Sequence, residues 1–344
     1  MPAPCPETLP NGYLLTLSII GGISIPMNLL ALYMIWFQSP GMHGYKYCLT
    51  YMQVASFIVE INVTWLVPAY HFFPLTGGIA AGEIIRKFVS NHTGVTIWIF
   101  LFCFLLPASL LCLFYRHNAA SKINQSGSNN LYLEKLVMIL THIFPFLTAF
   151  GTWNCQMTFA QKYEYLSQNY PECLFWLASD RFEAYDYKMN PWIVSTAAAA
   201  ITFLVITASY GGYHGIHTMI ILQRLRAHMS VQTYQMHITA LISLALQMLT
   251  PSVFAVPVYV WVTVVLTNAI DLQGIVSWSP CLMSTHSILM SSVMIVTNAT
   301  YRRVLKEKIS KLFMLTRLIG NQLGSEVEPS MRAPISFGRP APIS

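Results

Sequence analysis

Residues 93–115 read TGVTIWIFLFCFLLPASLLCLFY, and this stretch contains no acidic or basic side chain. An α-helix needs about 20 mainly apolar residues to cross the roughly 30 Å hydrocarbon layer of a bilayer. The stretch meets that requirement in both length and composition. It therefore predicts a membrane-spanning helix.

Six further apolar stretches share this character, and polar segments separate them along the chain. The second is the least regular, because Glu60, Asn62 and Pro68 interrupt it. The predicted spans are 14–37, 47–70, 93–115, 136–157, 191–213, 238–266 and 275–296. The sequence therefore predicts an all-α protein, a seven-transmembrane helix bundle.

Overall composition supports this prediction and argues against a soluble domain. Of 344 residues, 55% are hydrophobic and 9% are charged, whereas soluble domains carry about 25% charge. Lipid offers no hydrogen-bond partners, so only helices and closed barrels can span it. Barrel strands would alternate over about 10 residues, and these runs are longer and do not alternate.

Lys and Arg are unevenly distributed between the two sets of polar segments. Twelve flank the span ends on the side of the chain's C-terminal segment, and five flank the other side. Basic residues collect on the cytosolic side of membrane proteins. We therefore expect an extracellular N-terminus and a cytosolic C-terminus. The net charge of +6 reflects this topology, and no nucleic-acid partner is expected.

The same pattern divides the chain into four parts. We predict an extracellular N-terminus at 1–13, followed by the seven-transmembrane domain at 14–297. Residues 298–319 alternate apolar and basic side chains at helical spacing, which favours a short amphipathic helix on the inner membrane surface. Residues 320–344 are rich in Gly, Pro and Ser, and a disordered cytosolic tail is expected there.

Prolines inside the predicted spans mark places where helices can kink. Each removes a backbone hydrogen bond, and its ring clashes with the carbonyl four residues earlier. They include Pro26, Pro68, Pro107, Pro145, Pro251 and Pro257. The pair in span six could allow that helix to pivot, or it could simply set the helix shape.

Polar side chains inside lipid are costly and often functional. Glu60 is the one acidic residue within the predicted spans. It could pair with a cationic ligand, or it could make a structural polar contact. For other polar residues in the spans, hydrogen bonding between helices is the simpler interpretation. They include Asn28, His142, Asn154, Gln247 and His286.

Cys5 and Cys173 fall in polar segments predicted to be extracellular. Thiols on that side of the membrane tend to oxidise, so a disulfide is expected, with two separate thiols as the alternative. Asn91-His-Thr93 is a weak glycosylation sequon on the same side, because it lies very close to span three.

Enzymatic and metal chemistry have little support in the sequence. His214 and His217 are three residues apart, but one such pair is weak evidence for a metal site. No zinc-protease, nucleotide-binding or serine-hydrolase motif is present. We therefore expect no enzyme activity, no cofactor and no metal site, while a membrane enzyme using these histidines stays the least favoured alternative.

A series of short motifs occurs in order over about residues 5–315. They include Cys5-Pro6, Ile20–Asn28, Phe37–Pro40, Phe114–His117, Tyr170–Cys173, Leu246–Pro251, Ser284–His286 and Thr300–Arg302. Through them the chain resembles the nematode serpentine chemoreceptors of the Str superfamily, closest to the Sri class, with the Srh class as the alternative. It departs from the family pattern before Tyr301, where related receptors commonly carry proline.

The resemblance implies a G-protein-coupled chemosensory receptor that binds an unidentified small molecule from outside. Its expected partners are the lipid bilayer, that molecule and a cytosolic heterotrimeric G protein. The expected location is the plasma membrane, with a sensory cilium as one candidate compartment. A transporter or proton-coupled carrier using Glu60 and the intramembrane histidines is the alternative function.

By position, the resemblance also suggests which residues carry these functions. Ligand contacts are assigned to Glu60, Trp65 and His286. Contacts at the G-protein cleft are assigned to Arg116, His117, Arg224, Arg226, Tyr301 and Arg302.

Overall fold

The structure is a computed structural model, and it describes residues 5–39, 44–72, 75–82, 88–123, 131–249 and 273–327. The described residues divide into two compact units, one ending at Asn298 and the other beginning at Ala299.

Helices make up most of the first unit. They are α1 Tyr13–Phe37, α2 Tyr45–Ile61, α3 Asn91–Cys103, α4 Leu105–Ile123, α5 Leu131–Trp153, α6 Phe159–Asn169, α7 Trp192–Leu225, α8 Val231–Leu249, α9 Gln273–Met283 and α10 His286–Thr297. Within the described residues, five helical stretches are long and apolar enough to cross a membrane. They correspond to predicted spans one, three, four, five and seven.

Predicted spans two and six are not among these five helical stretches, for different reasons. Span two forms α2, which has 17 residues. Span six is described only as far as Leu249, and Pro251 and Pro257 lie outside the described residues. α7 continues beyond the predicted end of span five, as far as Leu225.

Two prolines interrupt helices at the positions that their chemistry dictates. Pro107 cannot donate to the carbonyl of Cys103, and span three breaks at Phe104 into α3 and α4. The helical part of predicted span two ends in a π-helical turn at Asn62–Leu66, before Pro68. Span seven also breaks, between Met283 and His286.

A small antiparallel sheet accompanies the helices of the first unit. Its strands are β1 Ala69–His71, β2 Gly77–Ala80 and β3 Phe182–Ala184, in the order β1-β2-β3. A Cβ on Gly78 would collide with the carbonyl oxygen of Tyr70. Glycine at this position therefore lets the strands approach each other.

The sheet forms one end of the bundle, which we call the disulfide end. Cys5 and Cys173 are joined in a disulfide there, with 5.4 Å between their Cα atoms. Both lie in an apolar cluster with Tyr13, Phe72 and Phe182. The Tyr13 hydroxyl donates to the Ala69 carbonyl at 2.6 Å, which ties α1 to β1.

A buried polar network joins α1, α2 and α10 deeper in the bundle. The side-chain amide of Asn28 donates to Ser287 Oγ at 2.7 Å. Gln53 on α2 donates to Asn28 Oδ1 and to Ser291 Oγ, the latter at 2.8 Å. These bonds give Asn28 the helix-to-helix role that its position in the sequence suggests.

The second unit contains one described helix, α11, at Ala299–Val327. It begins where the amphipathic helix was predicted, but it runs past the predicted end at residue 319. Gly320 does not end the helix, because glycine in a helix costs only about 1 kcal/mol relative to alanine. The rest of the predicted tail, 328–344, lies outside the described residues.

The disulfide generates a stability prediction. Cys5→Ser and Cys173→Ser should each lower the free energy of unfolding by about 2–4 kcal/mol, because the bond closes a loop of 168 residues. The double variant should be no less stable than either single one. Thermal melting of the purified protein in detergent checks this.

Cys155→Ser is the matched control, because Cys155 is a buried free thiol that donates to the Gly151 carbonyl, as serine can. Additive losses from the two disulfide variants would contradict a shared bond.

Candidate functional site

A cavity opens at the disulfide end, between α3, α5, α7 and the sheet. Its volume is about 380 Å³, within the range of small-molecule pockets. Apolar and small side chains provide most of its wall. They include Val95, Ile99, Cys103, Thr148, Thr152 and Ala200.

The sheet and the segment after it provide the polar part of the wall. Glu183 on β3 pairs with Lys162 on α6 at 2.6 Å. Tyr185 follows β3, and its hydroxyl lies 2.9 Å from Nδ1 of His92. Nε2 of His92 in turn lies 3.0 Å from the Trp153 carbonyl at the end of α5.

Two ionisable groups on this wall are held neutral. Burial lowers the pKa of His71, so its imidazole is uncharged near neutral pH. Burial, and then the charge of Glu183, raise the pKa of Tyr185 well above its ordinary value. With Glu183 already paired, the cavity suits a neutral, mainly apolar molecule.

The residues assigned to ligand binding lie elsewhere. Glu60 on α2 and His286 on α10 are both fully buried, and Glu60 Oε2 lies 3.4 Å from His286 Nδ1. The structure therefore brings these two together. Trp65 is 41% exposed and packs on Gly21 of α1. None of the three lines the cavity.

At the opposite end, the basic residues assigned to the G protein occupy different environments. The guanidinium of Arg116 lies 3.8 Å above the ring of Tyr45, at the start of α2. Arg224 is exposed at the end of α7, and Arg226 lies 5.6 Å from the ring of Tyr234. Basic groups therefore lie within α4, in the last turn of α7 and directly after α7.

Of the remaining assigned residues, one lies in the first unit and two lie in the second. His117 is buried on α4, with Nε2 lying 2.8 Å from Nδ1 of His217 on α7. Tyr301 and Arg302 lie in the first turn of α11, in the second unit.

The sequon residue Asn91 is the first residue of α3. Its side chain is 8% exposed, and its amide donates to the Arg181 carbonyl at 2.8 Å. The amide nitrogen that would carry a glycan is therefore engaged in a hydrogen bond.

Sequence reasoning missed the cavity because its wall is assembled from distant segments. One signal was available: α7 carries four consecutive alanines, 197–200, in its half near the disulfide end. Such small side chains leave space beside a helix that larger residues would fill.

Comparison with known proteins bears on the whole chain. A family model described as serpentine type 7TM GPCR chemoreceptor Sri matches residues 3–305. A search of curated proteins finds no match.

The buried Glu60–His286 pair can be tested by a double-mutant cycle. Glu60→Leu and His286→Phe should each destabilise the fold, because each leaves the other polar group buried without this partner. The double variant should lose less stability than the sum, by about 0.5–3 kcal/mol. Thermal melting in detergent measures the coupling.

The control cycle combines Glu60→Leu with His142→Phe, because His142 stacks on Tyr51 instead. That cycle should be additive. Additivity in the Glu60–His286 cycle as well would show that the two side chains do not interact.

Proposed function

The chain belongs to the Sri family of serpentine 7TM GPCR chemoreceptors, and we propose that it detects a small neutral molecule in the cavity at the disulfide end. It is a multi-pass membrane protein of a receptor family, not an enzyme. We further propose that the disulfide end is extracellular and that the protein passes the signal to a cytosolic heterotrimeric G protein.

The observation that carries the ligand proposal is the cavity itself. Pockets for small molecules are mostly apolar, with a few polar groups that fix orientation. Here three helices supply the apolar wall, while Tyr185 and His71 supply neutral polar groups. The disulfide and the sheet hold the segments around this opening in place.

The break in span three suggests how occupancy reaches the other end of the bundle. Cys103 lines the cavity and is the last residue of α3. Thr148 on α5 donates to its Sγ at 3.4 Å. After Phe104 the chain continues as α4, which carries Arg116. A molecule against Cys103 can therefore bias the angle between α3 and α4.

Arg116 is the favoured contact to the G protein at that far end. Its guanidinium is held on the face of Tyr45, so it links the start of α2 to α4. A change in the α3–α4 angle would alter this stacking. The exposed Arg224 and Arg226 would add positive charge that attracts an acidic surface.

Filling the cavity should weaken detection. Ala200→Phe places a ring into the cavity from α7. We expect the ligand concentration for half-maximal response to rise at least about tenfold, equal to 1.4 kcal/mol of lost binding. The measurement is a calcium or cyclic-nucleotide reporter in cells that express the receptor and a G protein, screened with odorants.

Ala199→Phe is the matched control, because Ala199 is exposed, does not line the cavity and receives the same added volume. It should respond like the unmodified receptor. Equal loss in both variants, at equal surface expression, would mean that the cavity is not where the ligand binds.

Arg116→Ala should abolish the reporter response while surface expression and ligand binding persist. The control is Lys122→Ala, an exposed basic residue at the end of the same helix. A full response from Arg116→Ala would remove Arg116 from the coupling surface. Substrate uptake in cells without any G protein would instead support the carrier alternative.

A further inference from the structure

A second cluster of polar side chains lies where α4, α5 and α7 meet, far from the disulfide end. His117 of α4, Glu134 of α5 and His214 of α7 are all buried. One potential ligand atom from each lies within 4.8 Å of the other two. We propose that these three residues bind a zinc ion and so link the three helices.

His214 provides the first argument, because its environment does not satisfy it. Its side chain is 4% exposed, and neither ring nitrogen has a hydrogen-bond partner among the described residues. A buried imidazole in that state costs free energy. Binding a metal through one nitrogen would offset the cost, and the rings of Phe114 and Tyr210 fix its orientation.

The two ring nitrogens of His117 have neighbours like those of metal-bound histidines. A ligating histidine commonly donates its other ring N–H to a neighbour, which fixes the tautomer. Nδ1 of His117 faces Glu134 Oε1 at 3.8 Å, on the side of the proposed ion. Nε2 lies 2.8 Å from Nδ1 of His217, which can accept a hydrogen bond from it.

The two carboxylate oxygens of Glu134 also have different partners. Its Oε1 faces His117, while its Oε2 accepts a hydrogen bond from the Asn118 amide at 3.0 Å. One oxygen is thus held by the protein and the other is directed into the cluster. Buried carboxylates need a cation or hydrogen bonds, and a zinc ion would supply the cation.

The donor set selects the ion. Two imidazole nitrogens and one carboxylate oxygen suit zinc, which also accepts water as a fourth ligand. Zinc bonds of about 2.0–2.2 Å place donors roughly 3.3–3.5 Å apart. The 4.8 Å spread therefore needs side-chain movements of about 1 Å to close around the ion.

The histidine pair noted in the sequence had weak support as a metal site on its own. His214 and His217 do take part, but in different ways, because His214 binds the ion and His217 supports His117. The other two ligands come from α4 and α5, so spacing along the chain could not show them. Because His117 directly follows Arg116, the ion would fix this part of α4 against α5 and α7.

The first test measures zinc on the full-length protein, purified in detergent, stripped with a chelator and titrated with Zn²⁺ against a chromophoric chelator. We expect about one tightly held zinc per chain, and a melting temperature raised by the ion. Less than about half an equivalent at saturation would overturn the proposal.

Three substitutions locate the ion. His214→Phe keeps a ring in the aromatic cluster but removes both nitrogens, and Glu134→Gln keeps the shape of the side chain. Each should weaken zinc binding by about 100-fold or more, and His217→Phe should weaken it by about 10–100-fold. His142→Phe removes a histidine from α5 outside the cluster, and it should bind zinc as the unmodified protein does. Unchanged affinity in the first two variants would place the zinc elsewhere and overturn the proposal.

Cobalt substitution gives a test that needs no variant to fold. Co²⁺ in a four-coordinate site of nitrogen and oxygen ligands shows intense visible bands and no thiolate charge-transfer band. A thiolate band would assign the metal to buried cysteines, such as Cys48 and Cys112, and would contradict the proposal. A weak six-coordinate spectrum would contradict it as well.

Discussion

Lipid as solvent is the constraint on which the rest of the structure depends. A backbone inside the bilayer must satisfy its own hydrogen bonds, so the long uncharged stretches become helices. Departures from helix then need a cause, and Pro107 and Pro68 supply two of them. The break that Pro107 imposes at Phe104 lies beside the cavity, so a constraint on the backbone also shapes the candidate site.

Polar side chains inside the bundle are placed where they can pair with one another. Asn28, Gln53 and Ser287 join three helices, and Glu60 meets His286. Outside the spans, other contacts are needed to hold a short sheet against the helix ends. The Cys5–Cys173 disulfide and the Tyr13–Ala69 hydrogen bond do this, and the cavity forms beneath them.

For spans one, four and five, most predicted ends lie within several residues of the helix ends, because a long apolar run is typical of a helix surrounded by lipid. The β-strands could not, since strands of three or four residues carry little pattern and Gly77-Gly78 is equally typical of a loop. Glu60 and His286 could be singled out as polar residues in spans. The cavity and the His117–Glu134–His214 cluster could not, because each joins side chains from three helices.

The central claim is that this seven-span chain crosses the bilayer with the disulfide end outside. Epitope tags at the two ends, probed with antibodies on intact and permeabilised cells, test it most directly. The account predicts that the N-terminal tag is stained on intact cells and the C-terminal tag only after permeabilisation. Staining of the C-terminal tag on intact cells would contradict it.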